Sequence, residues 1–267
     1  DDVRPILERS SARETAARVA VGAIARALLR VIGIEIRSHT ISIGSVSAKV
    51  GTSINWSLVE KSPVRVADKS SEQAMIHEID TARTDLDTLG GIFEIRASGL
   101  PIGLGSHVHW DLKLDGLIAQ AVMSINAVKA VEIGEGIDNS FGKGSEVMDV
   151  ILPESAWELR KWERMSNRAG GLEAGISNGQ DLVVRGFLKP ISTVPKKMPT
   201  ADLISGMETE SFYERSDVCV VPAGGVVGEA MLAVVLADAV LGKFGGDSIT
   251  ELTQNFQNFQ KTVGPRG

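Results

Sequence analysis

The sequence predicts an α+β fold, or a layered α/β sandwich. Helical and strand-like stretches alternate irregularly along the 267 residues, without the regular βα period of a Rossmann sheet. No internal repeat, heptad array or low-complexity tract interrupts them. Hydrophobic residues make up 43% of the chain, ample for a sizeable core, and the length allows one or two domains.

The clearest helix covers residues 10–33. Ser11-Ala12-Arg13-Glu14 has capping-box form, with a hydroxyl to accept the N3 amide proton and a glutamate to reach back. Ala, Val, Leu and Ile dominate the remainder of the stretch, and Gly33 suits the C′ position. Residues 33–44 alternate and are rich in β-branched side chains, which predicts a strand. Residues 45–65 have little period and are expected to form a loop or insertion. Met75, Ile76, Ile79 and Ala82 predict a helix over 71–83. Residues 91–97 read as a strand, followed by a glycine-rich turn over 99–105. A second strong helix is expected over 114–130, with Leu117, Ile118, Ala121, Val122, Ile125 and Val128 on one face. A short strand over 131–134 and a polar surface excursion over 135–165 come next. Residues 181–188 predict a strand that delivers Lys189-Pro190. Residues 226–241 are apolar almost all round, as in a buried helix. Ser248-Ile249-Thr250-Glu251 is a second capping box, opening a more polar helix.

The formal net charge is −6 and no Lys/Arg-rich run occurs, so nothing invites nucleic acid or a membrane surface. A few convergent arginines could still bind an anion. Cys219 is the single cysteine, which excludes a disulfide within the chain and suits a reducing, cytoplasmic setting. No apolar run is expected to reach the length of a membrane span, and the start has no signal-peptide pattern. The chain begins Asp1-Asp2-Val3-Arg4 and enters a dense motif soon after, as expected of a fragment boundary.

Four motifs could carry chemistry. Arg9-Ser10-Ser11-Ala12-Arg13 sets two arginines and two hydroxyls at a helix N-terminus, where free N–H groups favour an anion. The same residues equally describe a capped helix with exposed charges. The glycines of 170–179 would let backbone approach a flat ligand, or simply make turns. Lys189-Pro190-Ile191-Ser192-Thr193 offers a cation and hydroxyls at a strand end, or plain loop entry. Arg215-Ser216-Asp217 pairs a cation with a carboxylate before an apolar stretch, or forms a solvated turn. His39, His77, His107 and His109 show no third ligand for a metal, and structural or surface roles are expected. Asp111 and Asp115 read as helix N-terminal acids.

Their order is more specific than any one motif. ERSSARETAARVAVGAIAR, SHTISIG, DTLGGIFEI, GLPIGLGSHVHWD, LDGLIAQAVMSINAVKAVEIG, SNRAGGLEAGISNGQDLVVR, KPISTVP and RSDVCVVPAGGVVGEAMLAVVLADAVLGKFGGDS occur in the order found in chorismate synthases. From Asp2 to about Asn258 the chain resembles that family, most of all its actinobacterial-type branch, without the family's N-terminal part. The resemblance implies a β-α-β sandwich, incomplete at the N-terminus, as one domain over 1–267 with excursions at 45–65 and 135–165. It implies a cytoplasmic homotetramer of aromatic amino-acid biosynthesis that uses reduced FMN. Some members reduce their flavin with NADPH. The reaction implied is the 1,4-anti elimination of phosphate from 5-enolpyruvylshikimate 3-phosphate, giving chorismate with no net redox change.

By the same resemblance, Arg9, Ser10, Ser11, Asn126, Ala127, Ala174, Lys189, Pro190, Ile191, Ser192, Thr193 and Arg215 would line FMN. Arg13 would meet the substrate's anionic groups, and Asp217 would relay a proton from the flavin. The chain departs from the family pattern in several places. Two functional histidines and further substrate-binding arginines would lie upstream of Asp1, so the chain alone is expected to be inactive. Ser216 and Val218 stand where many relatives have His and Pro, and Ala174 and Ala130 stand where Gly is common. If position 174 is left-handed, alanine there is costly; at ordinary angles it is not. The alternatives are a non-catalytic flavin-binding remnant or interaction subunit, and a flavin oxidoreductase, for which no strand-plus-GxGxxG unit is present.

Overall fold

The computed structural model describes residues 4–49, 51, 53–153, 162–213 and 215–263. Helix α1 (Arg4–Ser10) and a 3₁₀ turn (Ala12–Glu14) lead into α2 (Thr15–Val31). Strands β1 (Glu35–Ile43) and β2 (Val46–Ser47) follow, then α3 (Trp56–Lys61), α4 (Lys69–Thr84) and β3 (Gly91–Ser98). Next come α5 (Leu114–Met123), β4 (Val128–Ile133), α6 (Gly136–Asn139), α7 (Gly144–Val147), β5 (Ile151–Leu152) and β6 (Glu163–Arg164). A small hairpin, β7 (Leu172–Glu173) and β8 (Ile176–Ser177), precedes β9 (Leu182–Leu188). A second hairpin, β10 (Pro199–Ala201) and β11 (Glu208–Glu210), precedes α8 (Val221–Phe244) and α9 (Ile249–Gln260). The architecture is α+β.

The principal sheet has the order β2-β1-β3-β9-β4 with antiparallel neighbours throughout. Alternation gives it two unlike faces. Phe93, Ile95, Leu182, Val184 and Leu188 are buried in the main apolar core, against which α8 lies. On the other face Glu94 is almost completely buried yet surrounded by cations. Its carboxylate meets His39 Nε2 at 3.1 Å, Arg96 Nε at 2.7 Å and Arg185 Nε at 2.8 Å. Arg185 reaches on to Glu132 at 3.0 Å.

Helix α8 is the centre of the helical layer and packs against α2, α5 and the sheet. It crosses α2 so closely that a Cβ on Gly22 would stand 2.4 Å from the Ala230 Cβ. Glycine is required there by contact distance. By length and composition α8 could cross a membrane, but 61% of its most apolar stretch is buried in this fold. Glu229 within it accepts hydrogen bonds from Ser38, Arg26 and Arg65. Its role here is that of a core helix.

Several elements differ from expectation. The helix expected over 114–130 stops at Met123, and Val128 already pairs with Leu188. Ser124 turns its hydroxyl back to the Ala121 carbonyl at 2.7 Å, and Ala127 has φ +67°. Cross-strand pairing has overridden a continuing helical pattern. The expected loop over 45–65 contains α3, capped by Asn55. The expected capping box does not form: Ser11 Oγ accepts from the Arg13 amide, one residue earlier than expected, and caps the 3₁₀ turn, while Glu14 pairs with Arg18 at 2.7 Å. Helix α8 begins at Val221, five residues before the expected start at 226, because Pro222 is tolerated in a first turn. Ala130, expected at the end of the 114–130 helix, lies in β4 opposite Phe187.

Candidate functional site

One end of the sheet gathers the start of β3, the start of β4, the end of β9 and the entry to α8. A series of hydrogen bonds ties the predicted segments together there. Asn126 Nδ2 donates to the Ser10 carbonyl at 2.9 Å. The Lys189 amide donates to the Ala127 carbonyl at 2.9 Å. Ser216 Oγ donates to the Thr193 carbonyl at 2.6 Å, and the Leu89 amide donates to the Val218 carbonyl at 2.7 Å. Arg18 adds a clamp from α2 to Ser124 Oγ at 2.8 Å. Ser10, Asn126, Ala127, residues 189–193 and residues 216–218 thus form one connected surface.

The side chains on this surface suit an anionic ligand. Arg9, Arg13, Lys189 and Arg215 are exposed, and none forms an ion pair among the described residues. Among the described residues the Arg13 side chain hydrogen-bonds the Ser11 hydroxyl, 3.5 Å from Nη1, and the Arg13 amide donates to the same hydroxyl at 3.3 Å. Ser192 is exposed and Thr193 half-buried. Asn126 Oδ1 is buried without a hydrogen-bond partner among the described residues, an acceptor with unused capacity. Asp217 is exposed beside half-buried Ser216. These cations, hydroxyls and the amide could hold a phosphate-bearing, partly polar cofactor such as FMN.

Ala174 stands apart from this group. It lies at the tip of the β7–β8 hairpin, whose Gly175 carbonyl accepts from the Leu114 amide at 2.9 Å, at the N-terminus of α5. The ten residues of α5 separate it from Asn126, roughly 15 Å along the axis. Only an elongated ligand could reach both. Ala174 has φ +55°, so it is the costly left-handed case.

Other candidate groups have local partners. His39 is buried on the charged sheet face, and His109 Nδ1 meets Asp111 at 2.6 Å. Asp115 occupies the first turn of α5. No group of three metal-ligating side chains occurs among the described residues. Burial pushes the Cys219 thiol pKa up, away from reactive thiolate. Three clefts, the largest about 530 Å³, share Arg96 and lie on the charged side of the sheet. Their linings mix arginines with Glu35, Glu94, Glu132 or Asp181 and include none of the predicted site residues. Residue chemistry therefore favours the sheet end over these hollows. Sequence reasoning missed Thr88, Gly90 and Arg18, which hold the site segments from behind. The only signal was that Thr88 and Gly90 lie in the DTLGGIFEI block and Arg18 in the ERSSARETAARVAVGAIAR block, which carried no role for any of the three.

Comparison with known proteins gives a consistent picture. The family profile described as chorismate synthase matches residues 1–241. A chorismate synthase of Corynebacterium jeikeium is 52% identical over all of this chain and 63% of its own length. That of Mycolicibacterium smegmatis is 50% identical, covering all of this chain and 67% of its own length. A solved structure described as the crystal structure of chorismate synthase superposes with a TM-score of 0.83 at 40% identity, over 98% of this chain and 73% of that one. The chain spans about two thirds of the length of the curated relatives it matches, from 63% to 68%.

Proposed function

Because the chain belongs to the chorismate synthase family, we propose that it carries the FMN-facing part of a lyase that converts 5-enolpyruvylshikimate 3-phosphate to chorismate. The supporting observation is the hydrogen-bonded surface at the sheet end. There Ser10, Asn126, Lys189 and Ser216 are tied together, and Arg9, Arg13, Lys189 and Arg215 have no acidic partner among the described residues.

The overall change is a 1,4-elimination: a ring C–H bond and the C–O bond to phosphate break, the existing ring double bond shifts and a second forms, giving a diene with a proton and phosphate released. Such a C–H proton is too weakly acidic for an ordinary carboxylate to remove unaided. Reduced FMN supplies the transient electron density that eases departure of phosphate, with none consumed overall. In this reading the chain's own groups bind, orient and neutralise. Arg9, Lys189 and Arg215, with the hydroxyls of Ser10, Ser11, Ser192 and Thr193, hold the cofactor's polar edge and phosphate. Asn126 and the backbone at Ala127, Pro190 and Ile191 shape the rest of that wall. Arg13 meets the anionic substrate, and fixed guanidinium charge there favours the leaving phosphate. The carboxylate of Asp217 takes and releases a proton at the cofactor edge. Ala174, at the far end of α5, serves only an extended binding pose.

The test is to titrate FMN into the full chain and follow fluorescence quenching. Chorismate formation is then measured anaerobically, with dithionite-reduced FMN, in a protein extended to the relatives' length. Binding with turnover is expected. Failure of the chain to bind FMN would refute the flavin reading. Binding without turnover by the extended protein would favour a non-catalytic remnant.

A further inference from the structure

Thr88 and Gly90 are not themselves among the proposed FMN-lining residues, yet both touch the segment that begins at Lys189. Thr88 is 5% exposed, and its hydroxyl donates to the Ile191 carbonyl at 2.7 Å. Gly90 lies against the same segment: a Cβ there would come within 2.3 Å of the Leu188 carbonyl oxygen and 2.9 Å of the Pro190 nitrogen. Beyond them the Ser216 hydroxyl takes the Thr193 carbonyl at 2.6 Å, and the Lys196 amide donates to the Leu86 carbonyl at 3.0 Å. Pro190 has no N–H, so the β9 ladder cannot continue through it. The segment is held instead by side-chain donors on its carbonyls. The carbonyls of Ile191 and Thr193 are committed to the protein, while Lys189, Pro190 and Ser192 remain exposed.

We propose that Thr88 is a positioning residue. Acting through the Ile191 carbonyl, and with Gly90 packed against the Leu188–Pro190 backbone, it sets where Lys189, Ser192 and Thr193 stand toward FMN. This rests on the flavin reading above and adds a residue behind the binding surface. The hydroxyl is needed for its hydrogen bond, not its bulk, and that distinguishes positioning from simple packing.

The experiment uses the full chain as parent, Thr88→Val and Thr88→Ser. Valine keeps the shape and loses the donor; serine keeps the donor. FMN affinity is read by fluorescence quenching, and hydrogen exchange of segment 189–194 is followed without ligand. Thr88→Val is expected to weaken FMN binding about tenfold, the worth of one such hydrogen bond, with Thr88→Ser within about twofold of the parent. Exchange in 189–194 should quicken in Thr88→Val while β3 stays protected. Parent-like FMN affinity in Thr88→Val, serine as weak as valine, or a loss accompanied by faster exchange throughout the chain would overturn the proposal. If the parent itself binds no FMN, the flavin reading fails. Exchange at 189–194 then decides the anchoring: unchanged in Thr88→Val overturns it, locally faster sustains it. Should Thr88→Val not fold, Ser216→Ala frees the neighbouring Thr193 carbonyl and must act in the same direction; no effect of it overturns the proposal.

Discussion

Replacing Glu94 with glutamine separates the charge of the buried carboxylate from its shape. The Glu94 side chain is 2% exposed and is held by His39, Arg96 and Arg185 at 2.7 to 3.1 Å. Burial alone would raise its pKa. The His39 hydrogen bond and the neighbouring positive charges more than offset this and hold it at about 2, against an ordinary 4.5. A carboxyl whose pKa is depressed on folding favours the folded state above its unfolded pKa, and loses that contribution as pH falls toward the folded value. The difference corresponds to roughly 3 kcal/mol, of which about 2 kcal/mol is gone by pH 3. Glu94→Gln should therefore cost roughly 3 kcal/mol at pH 7, since it removes the buried carboxylate that the half-buried Arg96 guanidinium meets and one of the two that Arg185 meets among the described residues. The gap to the parent should narrow on acidification. Urea unfolding of both proteins from pH 7 to pH 3 measures this, because other carboxyls titrate alike in the two and cancel in the difference. A gap that stayed constant over that range would refute the reasoning.

Three further outcomes are expected. Ala174→Gly should raise stability by about 1 kcal/mol, read from the urea midpoint, because it relieves a left-handed alanine. Asp217→Ala should lower chorismate formation by the extended protein about 100-fold or more while leaving FMN affinity near that of the parent. Asp149, 6% exposed, accepts from Ser166 Oγ and from the Arg168 and Ala169 amides. Burial raises its pKa, but these hydrogen bonds outweigh burial and lower it overall. Its hold on residues 166–169 should thus weaken as pH falls below the ordinary aspartate range. Comparative hydrogen exchange at two pH values should show that loosening, and Asp149→Asn should abolish the pH response.

Much of this was legible because local and tertiary preferences agree. The strands expected at 91–97 and 181–188 occur as β3 and β9 within a residue at each end, and their alternation gives the two faces directly. The order of motifs included the segments of Ser10, Asn126, Lys189 and Ser216 that hydrogen bonds join at the sheet end, and also the Ala174 hairpin, which lies apart from them. The rest depended on information that no local pattern carries. Residues 124–130 continue the apolar spacing of a helix, but pairing with Leu188 claims Val128 for the sheet. Glu94, Arg96, Glu132 and Arg185 alternate like a solvated strand face, yet Glu94 and Glu132 are buried because long arginines fold over them. Thr88 and Gly90 gain their importance only from a segment about a hundred residues later in the chain. The left-handed angle at Ala174 is likewise invisible in an Ala-Gly pair.

The charged face also works as an index for the strands. Arg185 can meet Glu94 only in the observed pairing of β9 with β3. A slip of one residue would turn the guanidinium into the apolar layer, leave the carboxylate unanswered, and displace everything from Lys189 onward by about 3.3 Å. A mispaired sheet would thus be penalised before any ligand arrived. The point at which the chain leaves the sheet at Lys189 is measured out by salt bridges on the sheet's other face.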